Sequence, residues 1–181
     1  MTDFIRHIIG YIVGASLFLI IIPFGLYELS LLDRTIPFEF PARVIVRLIL
    51  SLPFFLPGLF FVVWSNIFLF EIGKGGPTDG FNIAISPRTK HLVVSGPYRL
   101  SRNPMVWGAF LVYFSIGLFL LSILCLIALA VFLGLGVVYL KKTEEKRLLK
   151  DFGEAFADYR RNVPMIFPKI RLKTAKRFSG S

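Results

Sequence analysis

Cysteine, histidine and charged residues are all scarce in this chain. A single cysteine, Cys125, leaves no partner for a disulfide and no thiolate cluster for a metal. The two histidines, His7 and His91, lie far apart in sequence, so no metal site is expected. Only 18% of the 181 residues are charged, against 55% hydrophobic with twenty Phe, and the mean hydropathy is +0.71. That excludes a disordered tail. It is also too apolar for an ordinary soluble domain, in which apolar residues, Gly included, make up roughly 45–50%. Acids are the scarcer sign, 11 Asp and Glu against 21 Lys and Arg, for a net charge of +10. A basic balance also marks nucleic-acid binders, but charge-free runs long enough to cross a bilayer exclude that class. No internal repeat is visible.

Twenty residues from 8 to 27, and twenty-three from 48 to 70, contain no Asp, Glu, Lys or Arg. A helix crossing the hydrocarbon core needs about 20 mostly apolar residues, so each run predicts one span. The first is expected to be retained rather than cleaved as a leader. Its apolar stretch is longer than that of a signal, and Pro23, Phe24, Gly25 and Leu26 follow in place of a small-x-small site. Pro53 and Pro57 are expected to kink the second, because each removes a backbone donor and crowds the preceding turn. The longest run, thirty-six residues from 105 to 140, would measure about 54 Å as one helix. It is predicted to fold as a hairpin of two spans with its bend near Leu121 and Ser122.

Four spans put both termini on one side, together with the segment 71–103. That side holds eighteen of the Lys and Arg and eight of the acids, whereas the first loop holds three of each: Arg34, Arg43 and Arg47 against Glu28, Asp33 and Glu39. The excess of Lys and Arg predicts that the basic side is cytoplasmic. The expected architecture is an all-α integral membrane protein of four transmembrane helices, the last two a hairpin, plus a cytoplasmic amphipathic helix. Residues 1–70 form a two-span region, 71–168 a core of loop, hairpin and amphipathic helix, and 169–181 a basic tail attracted to anionic lipid.

The loop after the second span opens with Gly73-Lys74-Gly75-Gly76-Pro77, then Asp79-Gly80 and Ser86-Pro87. Lys74 is followed by Gly75 rather than Ser or Thr, so this is not a phosphate-cradling P-loop and reads as a connector. Leu92-Val93-Val94 is strand-like. Asn103 and Pro104 read as the cap and first residue of the third span. Arg99 and Arg102 lie just before that helix start, whose unpaired N–H groups attract anions; the alternative is that both anchor to lipid headgroups. Beyond the hairpin, Leu148, Leu149, Phe152, Phe156 and Tyr159 mark one apolar face of a helix that continues the fourth span and ends at Val163-Pro164. Glu144 and Glu145 then fall a turn or two beyond the bilayer on the side of the arginines. Read locally, they pair with Lys141, worth about 0.2–0.5 kcal/mol. Read together, paired acids opposite paired arginines suit a zwitterion.

Gly96-Pro97-Tyr98-Arg99, Arg102-Asn103-Pro104-Met105, a hydrophobic hairpin, Glu144-Glu145, Phe152-Gly153, Tyr159 and Val163-Pro164 follow one another in an order that resembles the isoprenylcysteine carboxyl methyltransferase family and its phospholipid methyltransferase relatives. The similarity covers residues 73–168, and Gly73-Lys74-Gly75 looks like the family's glycine-rich lead-in. The resemblance implies an integral membrane enzyme that binds S-adenosylmethionine at the cytoplasmic end of the hairpin and methylates an amphiphile arriving from the bilayer. Carried over by position, it implies a cofactor pocket of Gly96, Tyr98, Arg99, Arg102, Asn103, Pro104, Trp107, Glu144 and Glu145, with Arg99 and Glu145 as the catalytic residues. The family's commonest form has His before the Pro and Tyr two residues after it; here Asn103 and Val106 stand there, Asn being similar to a bacterial branch. Its Val-Pro-Arg motif ends here in Met165.

S-adenosylmethionine carries a carboxylate, an ammonium, a sulfonium and an adenosine, and so calls for cationic, anionic and aromatic partners together. Arg99 or Arg102 is expected to take the carboxylate, Glu144 or Glu145 the ammonium or ribose hydroxyls, and Tyr98 or Trp107 the sulfonium or adenine. The expected acceptor is a lipophilic carboxylate, which needs no base. The other readings are a phospholipid amine N-methyltransferase, a membrane reductase using NADPH, which sterol reductases distantly resemble in this region, and a non-catalytic scaffold holding anionic lipid. Oligomeric state is left open; Gly108, Gly117, Gly134 and Gly136 permit close helix packing within or between chains.

Overall fold

The computed structural model describes residues 3–33, 44–74, 79–80, 83–84 and 89–168. Outside the described residues lie the first loop with Arg34, Glu39 and Arg43, most of the glycine-rich turn (Gly75, Gly76, Pro77), Ser86 and Pro87, and the basic tail 169–181. Helices carry the fold. Helix α1 (Asp3–Ser16) passes through a π-helical turn (Leu17–Ile21) into α2 (Ile22–Asp33). Helix α3 (Val44–Glu71) runs unbroken through Pro53 and Pro57. One antiparallel ladder, β1 (Asp79–Gly80) with β2 (Ile83–Ala84), is the only strand pairing among the described residues. The strand-like run Leu92-Val93-Val94 forms no strand; with no neighbouring strand to pair with, it is held by burial of the Val93 side chain instead.

A 3₁₀ turn (Gly96–Arg99) leads into α4 (Pro104–Leu120), and the hairpin bend falls at Leu121 and Ser122, where Leu121 takes a left-handed φ of 55° and the Ser122 side chain accepts from the Cys125 N–H at 3.0 Å. Helix α5 (Ile123–Tyr139) then continues through a second π turn (Leu140–Glu144) into α6 (Glu145–Asn162), which is interrupted at Gly153. Among the described residues, three helices are long and apolar enough to cross a membrane: 8–33, 44–71 and the start of the 123–162 run. Helix α4 is a shorter apolar helix of 17 residues, about 26 Å. The chain is therefore a multi-pass membrane protein.

Helix α4 is the centre of the bundle. Its glycines let backbones meet: a Cβ on Gly108 would lie 2.8 Å from the Gly58 carbonyl and the Val62 nitrogen of α3, so these two helices pack without side chains between them. Its tyrosine reaches the other side, where the Tyr113 hydroxyl donates to the Phe18 carbonyl at 3.2 Å. That carbonyl sits in the first π turn, where widening of the helix releases backbone acceptors. Leu26, Val112, Tyr113, Cys125 and Leu129 form the core. Asp33, at the end of α2, accepts from the Leu124 N–H at 3.3 Å and so stitches α2 to the start of α5. The outer faces are apolar, with Ile20, Phe24, Ile45, Ile49 and Phe132 exposed to the surroundings as lipid contact requires. Gly117 packs on Leu126, whereas Gly134 and Gly136 have nothing within 4 Å of a built Cβ among the described residues.

Candidate active site

The end of α3, the start of α4 and the end of α5 meet at one end of the bundle, and α6 closes over them. A cavity of about 240 Å³ lies there. Its wall takes Leu69 from α3, Thr89, Leu92 and Val93 from the loop, Tyr98 from the 3₁₀ turn, and residues 102–106 from the start of α4. Tyr139, Leu140, Glu144, Glu145, Arg147, Leu148, Phe152, Phe156 and Tyr159 complete it.

Two local devices hold this wall. The first is a strap. Residues 163–165 lie along 101–103, with the Arg102 N–H donating to the Pro164 carbonyl at 2.9 Å and the Asn103 N–H to the Met165 carbonyl at 3.0 Å. The Ser101 hydroxyl, fully buried, donates to the same Met165 carbonyl at 3.1 Å. Asn103 does stand before the helix, and its carbonyl accepts from the Trp107 N–H, but its side chain makes no capping bond. Its side-chain NH2 donates to the Met165 carbonyl at 3.1 Å, so the side chain is turned to the strap instead of to the helix start. Because the strap bonds through backbone carbonyls, Met165 at the position of the family's Arg leaves those bonds intact.

The second device is Gly153. Its φ of 53° and ψ of −129° break α6 into two arms, a backbone conformation that residues with a Cβ rarely adopt. The single apolar face expected from sequence is thereby corrected. Leu148 and Phe152 on one arm and Phe156 and Tyr159 on the other converge on the cavity, while Leu149 is exposed. The fold-back carries the Tyr159 hydroxyl to the Tyr98 carbonyl, to which it donates at 2.6 Å.

The polar groups form two ion pairs. Arg102 Nη1 donates to Glu145 Oε1, both side chains about nine-tenths buried, and Arg160 approaches the other Glu145 oxygen at 3.9 Å. Glu144 is paired with Arg147 at 2.6 Å. The expected local pairing with Lys141 does not form: Lys141 and Lys142 are exposed, and these acids find arginines instead. Burial pushes the Arg102 guanidinium down, with the Glu145 charge pulling it back up, and Arg102 Nε is buried with no hydrogen-bond partner among the described residues. Burial also pushes the Tyr98 and Tyr159 phenols well up, so both stay protonated at neutral pH.

Six of the residues singled out in the sequence line this cavity together: Tyr98, Arg102, Asn103, Pro104, Glu144 and Glu145. Gly96, Arg99 and Trp107 are not among the lining residues. Gly96 has a φ of 56° and sits so close to Phe68 that a Cβ would lie 2.4 Å from the ring. Arg99 ends the 3₁₀ turn exposed, and Trp107 stacks on Phe110 and meets Phe167 edge-on. Sequence reasoning missed Tyr139 and Arg147. Arg147 had a weak signal, a cation one helical turn beyond Glu144; Tyr139 had none within its apolar run.

Apolar helices thus end on a cavity of mostly apolar lining that carries a buried arginine–glutamate pair. A family model for phospholipid methyltransferases matches residues 46–155, which includes α3, the whole hairpin and the first arm of α6. The chain belongs to that family and is thus a membrane methyltransferase. No curated protein and no solved structure matches it.

Proposed function

We propose that the cavity binds S-adenosylmethionine and that the protein transfers its methyl group to the carboxylate of a lipophilic acceptor, at the cytoplasmic surface of the membrane. The observation that carries this reading is the buried Arg102–Glu145 pair in the cavity wall, with Arg102 Nε left over as a buried donor. The residues present fit the cofactor. Nε is the group a carboxylate would take, Glu145 has oxygens for an ammonium or ribose hydroxyls, and Tyr98, Phe152, Phe156 and Tyr159 offer ring faces to a sulfonium or adenine. The volume is just under the roughly 300–1,000 Å³ of ligand sites in general, so a lipid tail stays outside, in the bilayer.

The cofactor supplies a methyl group already activated by its sulfonium. What the chain adds is position and dryness: Arg102 and Glu145 fix the charged end, and the apolar wall of Leu148, Phe152 and Phe156 excludes water. Orientation of this kind is worth up to about 7–11 kcal/mol of a barrier. A carboxylate acceptor is favoured by the titratable groups in the wall. Among the described residues these are two glutamates, each paired with an arginine, and three tyrosines, two of them held protonated by burial. None is placed as a base to deprotonate an ammonium, whereas a carboxylate gives up no proton. The family match favours a second reading on the same scaffold, N-methylation of a phospholipid amine.

Calorimetry on the purified chain tests the cofactor. Loss of one charge-assisted hydrogen bond, about 1.5–3 kcal/mol, predicts that Arg102→Gln and Glu145→Gln each weaken S-adenosylmethionine binding about tenfold or more. Absence of binding by the unsubstituted protein overturns the reading. With methyl-labelled cofactor and total lipid, label released by mild alkali as methanol marks an ester, and label retained on an ethanolamine phospholipid marks the amine.

A further inference from the structure

The Glu145 carboxylate meets two arginines, one on each oxygen. Arg102 Nη1 donates to Oε1 from the residues before α4, and both of these side chains line the cavity. Arg160 Nη1 lies 3.9 Å from Oε2, within ion-pair reach but too far for a hydrogen bond. Arg160 is not among the lining residues, so it reaches Glu145 from outside the cavity lining. Its side chain is 46% exposed, and among the described residues Glu145 is its only ion-pair partner. Its backbone is held in place by its neighbour, because the Tyr159 hydroxyl is tied to the Tyr98 carbonyl. Two cations around one carboxylate leave a surplus of positive charge. Burial pushes the Arg102 guanidinium down, Glu145 pulls it back up, and the like charge of Arg160 adds to the downward push.

We infer that Arg160 is a positioning residue: it holds Glu145 from outside the cavity, so that Arg102 can share its guanidinium with the carboxylate of the cofactor. This rests on the S-adenosylmethionine reading above and deepens it. A buried carboxylate that loses its only cation is strongly destabilised, so an Arg102–Glu145 pair standing alone would resist the anion it has to bind. With Arg160 in place, Glu145 keeps a cation while Arg102 turns partly to the ligand. The surplus charge acts in the same direction, because two arginines and one glutamate lack one anion, and the ligand carboxylate supplies it. Without ligand, Glu145 is already bonded by Arg102, and a half-exposed contact at 3.9 Å adds little to stability. Its weight appears when the ligand draws on Arg102. The contact also spans the break at Gly153, joining the first turn of α6 to the last turn of its second arm, so closure of that arm and the charge state of the inner pair are linked.

The test is calorimetry on the full chain in lipid nanodiscs, with S-adenosylmethionine and its decarboxylated form as probes. Arg160→Gln is expected to weaken S-adenosylmethionine about fivefold, the worth of one partly exposed ion pair, and to leave the decarboxylated form within about twofold, since that ligand does not draw on Arg102. Arg160→Met, which keeps the apolar stem, takes its place if the Gln variant does not fold. Arg160→Lys is expected to restore the affinity, because a contact at this distance needs the charge and not the guanidinium fork. In a Glu145→Gln background Arg160→Gln is expected to have no further effect, the non-additivity that marks two residues acting through one another. Arg161→Gln, an equal change of charge on the neighbouring exposed residue, is expected to leave both affinities as they were. Equal weakening of the two probes by Arg160→Gln overturns the inference, because loss of arm packing alone would do that. Unchanged affinity, additivity with Glu145→Gln, no recovery in Arg160→Lys, or an equal effect of Arg161→Gln overturns it as well. Failure of the unsubstituted protein to bind S-adenosylmethionine is a separate result that removes the parent reading and this assignment with it.

Discussion

Tyr159 does two jobs with one side chain. Its ring forms part of the cavity wall, and its hydroxyl ties the second arm of α6 to the turn before α4 through the Tyr98 carbonyl. Tyr159→Phe separates the two, keeping the ring and removing the tie. The variant is expected to lose about 1 kcal/mol of stability, seen as a lower thermal midpoint in detergent, together with weaker cofactor binding as the arm loosens. The same residue sets an alkaline limit. Burial raises the phenol pKa in the folded protein, so the folded state holds a proton that the unfolded chain releases near pH 10. The stabilisation is complete below that pH and falls as pH climbs towards the raised folded value. Tyr159→Phe should therefore lose stability less steeply above pH 10 than the unsubstituted protein. An alkaline profile that does not change on this substitution would count against a buried hydroxyl at this point.

At the scale of elements, the break in α6 decides whether a site forms, because a straight α6 would carry Phe156 and Tyr159 away from the bundle. Nothing lies within 4 Å of a Cβ built on Gly153, so Gly153→Ala introduces no clash and acts through the backbone alone. Holding an L-residue in such a conformation costs about 1–3 kcal/mol. The variant is expected to straighten the arm, weakening S-adenosylmethionine binding at least severalfold, with protection of 154–162 lost in hydrogen exchange. Unaltered exchange and affinity would show that the break is not what shapes the cavity. Gly153 was legible in the sequence as part of the Phe152-Gly153 motif of the family resemblance, but not as a break; its dihedral angles accompany packing of the second arm onto Tyr98. The bend at Leu121 and Ser122 was legible, since thirty-six charge-free residues are too long for one helix to bury in a bilayer. The π turns at 17–21 and 140–144 left no signal, because one extra residue in a turn changes no composition. Arg102 and Glu145 stood out as charges beside apolar runs. Arg147 did not, since a cation one turn from an acid looks like any solvated helix face.

The charged groups of the cavity lie at one end of an apolar bundle, and which side of the membrane that end faces decides which pool of cofactor it meets. On a four-span path, eighteen of the 21 Lys and Arg would fall with the cavity and both termini, ten more than the acids there, and the opposite loop would be neutral. The positive-inside bias acts through short flanking segments of this kind, so the cavity is expected to face the cytoplasm, where S-adenosylmethionine is made. The lone cysteine makes this easy to measure: Cys125 is buried and out of reach of reagents, so a single added cysteine reports its own position. Lys150 is exposed on α6, and Lys150→Cys should resist a membrane-impermeant maleimide in intact cells and react in inside-out vesicles. Thr35→Cys, in the opposite loop, should show the reverse. This pair also tests whether α4, whose 17 residues fall short of the three longer helical runs able to span, crosses at all. If α4 does not cross, the run through α5 carries residue 150 to the side of the 34–43 loop, and both cysteines label from outside. Labelling from opposite sides requires an odd number of crossings between the two positions, so with α3 and α5 both long and apolar enough to cross it requires α4 to cross as well, the arrangement that places the Arg102–Glu145 pair at the cytoplasmic surface.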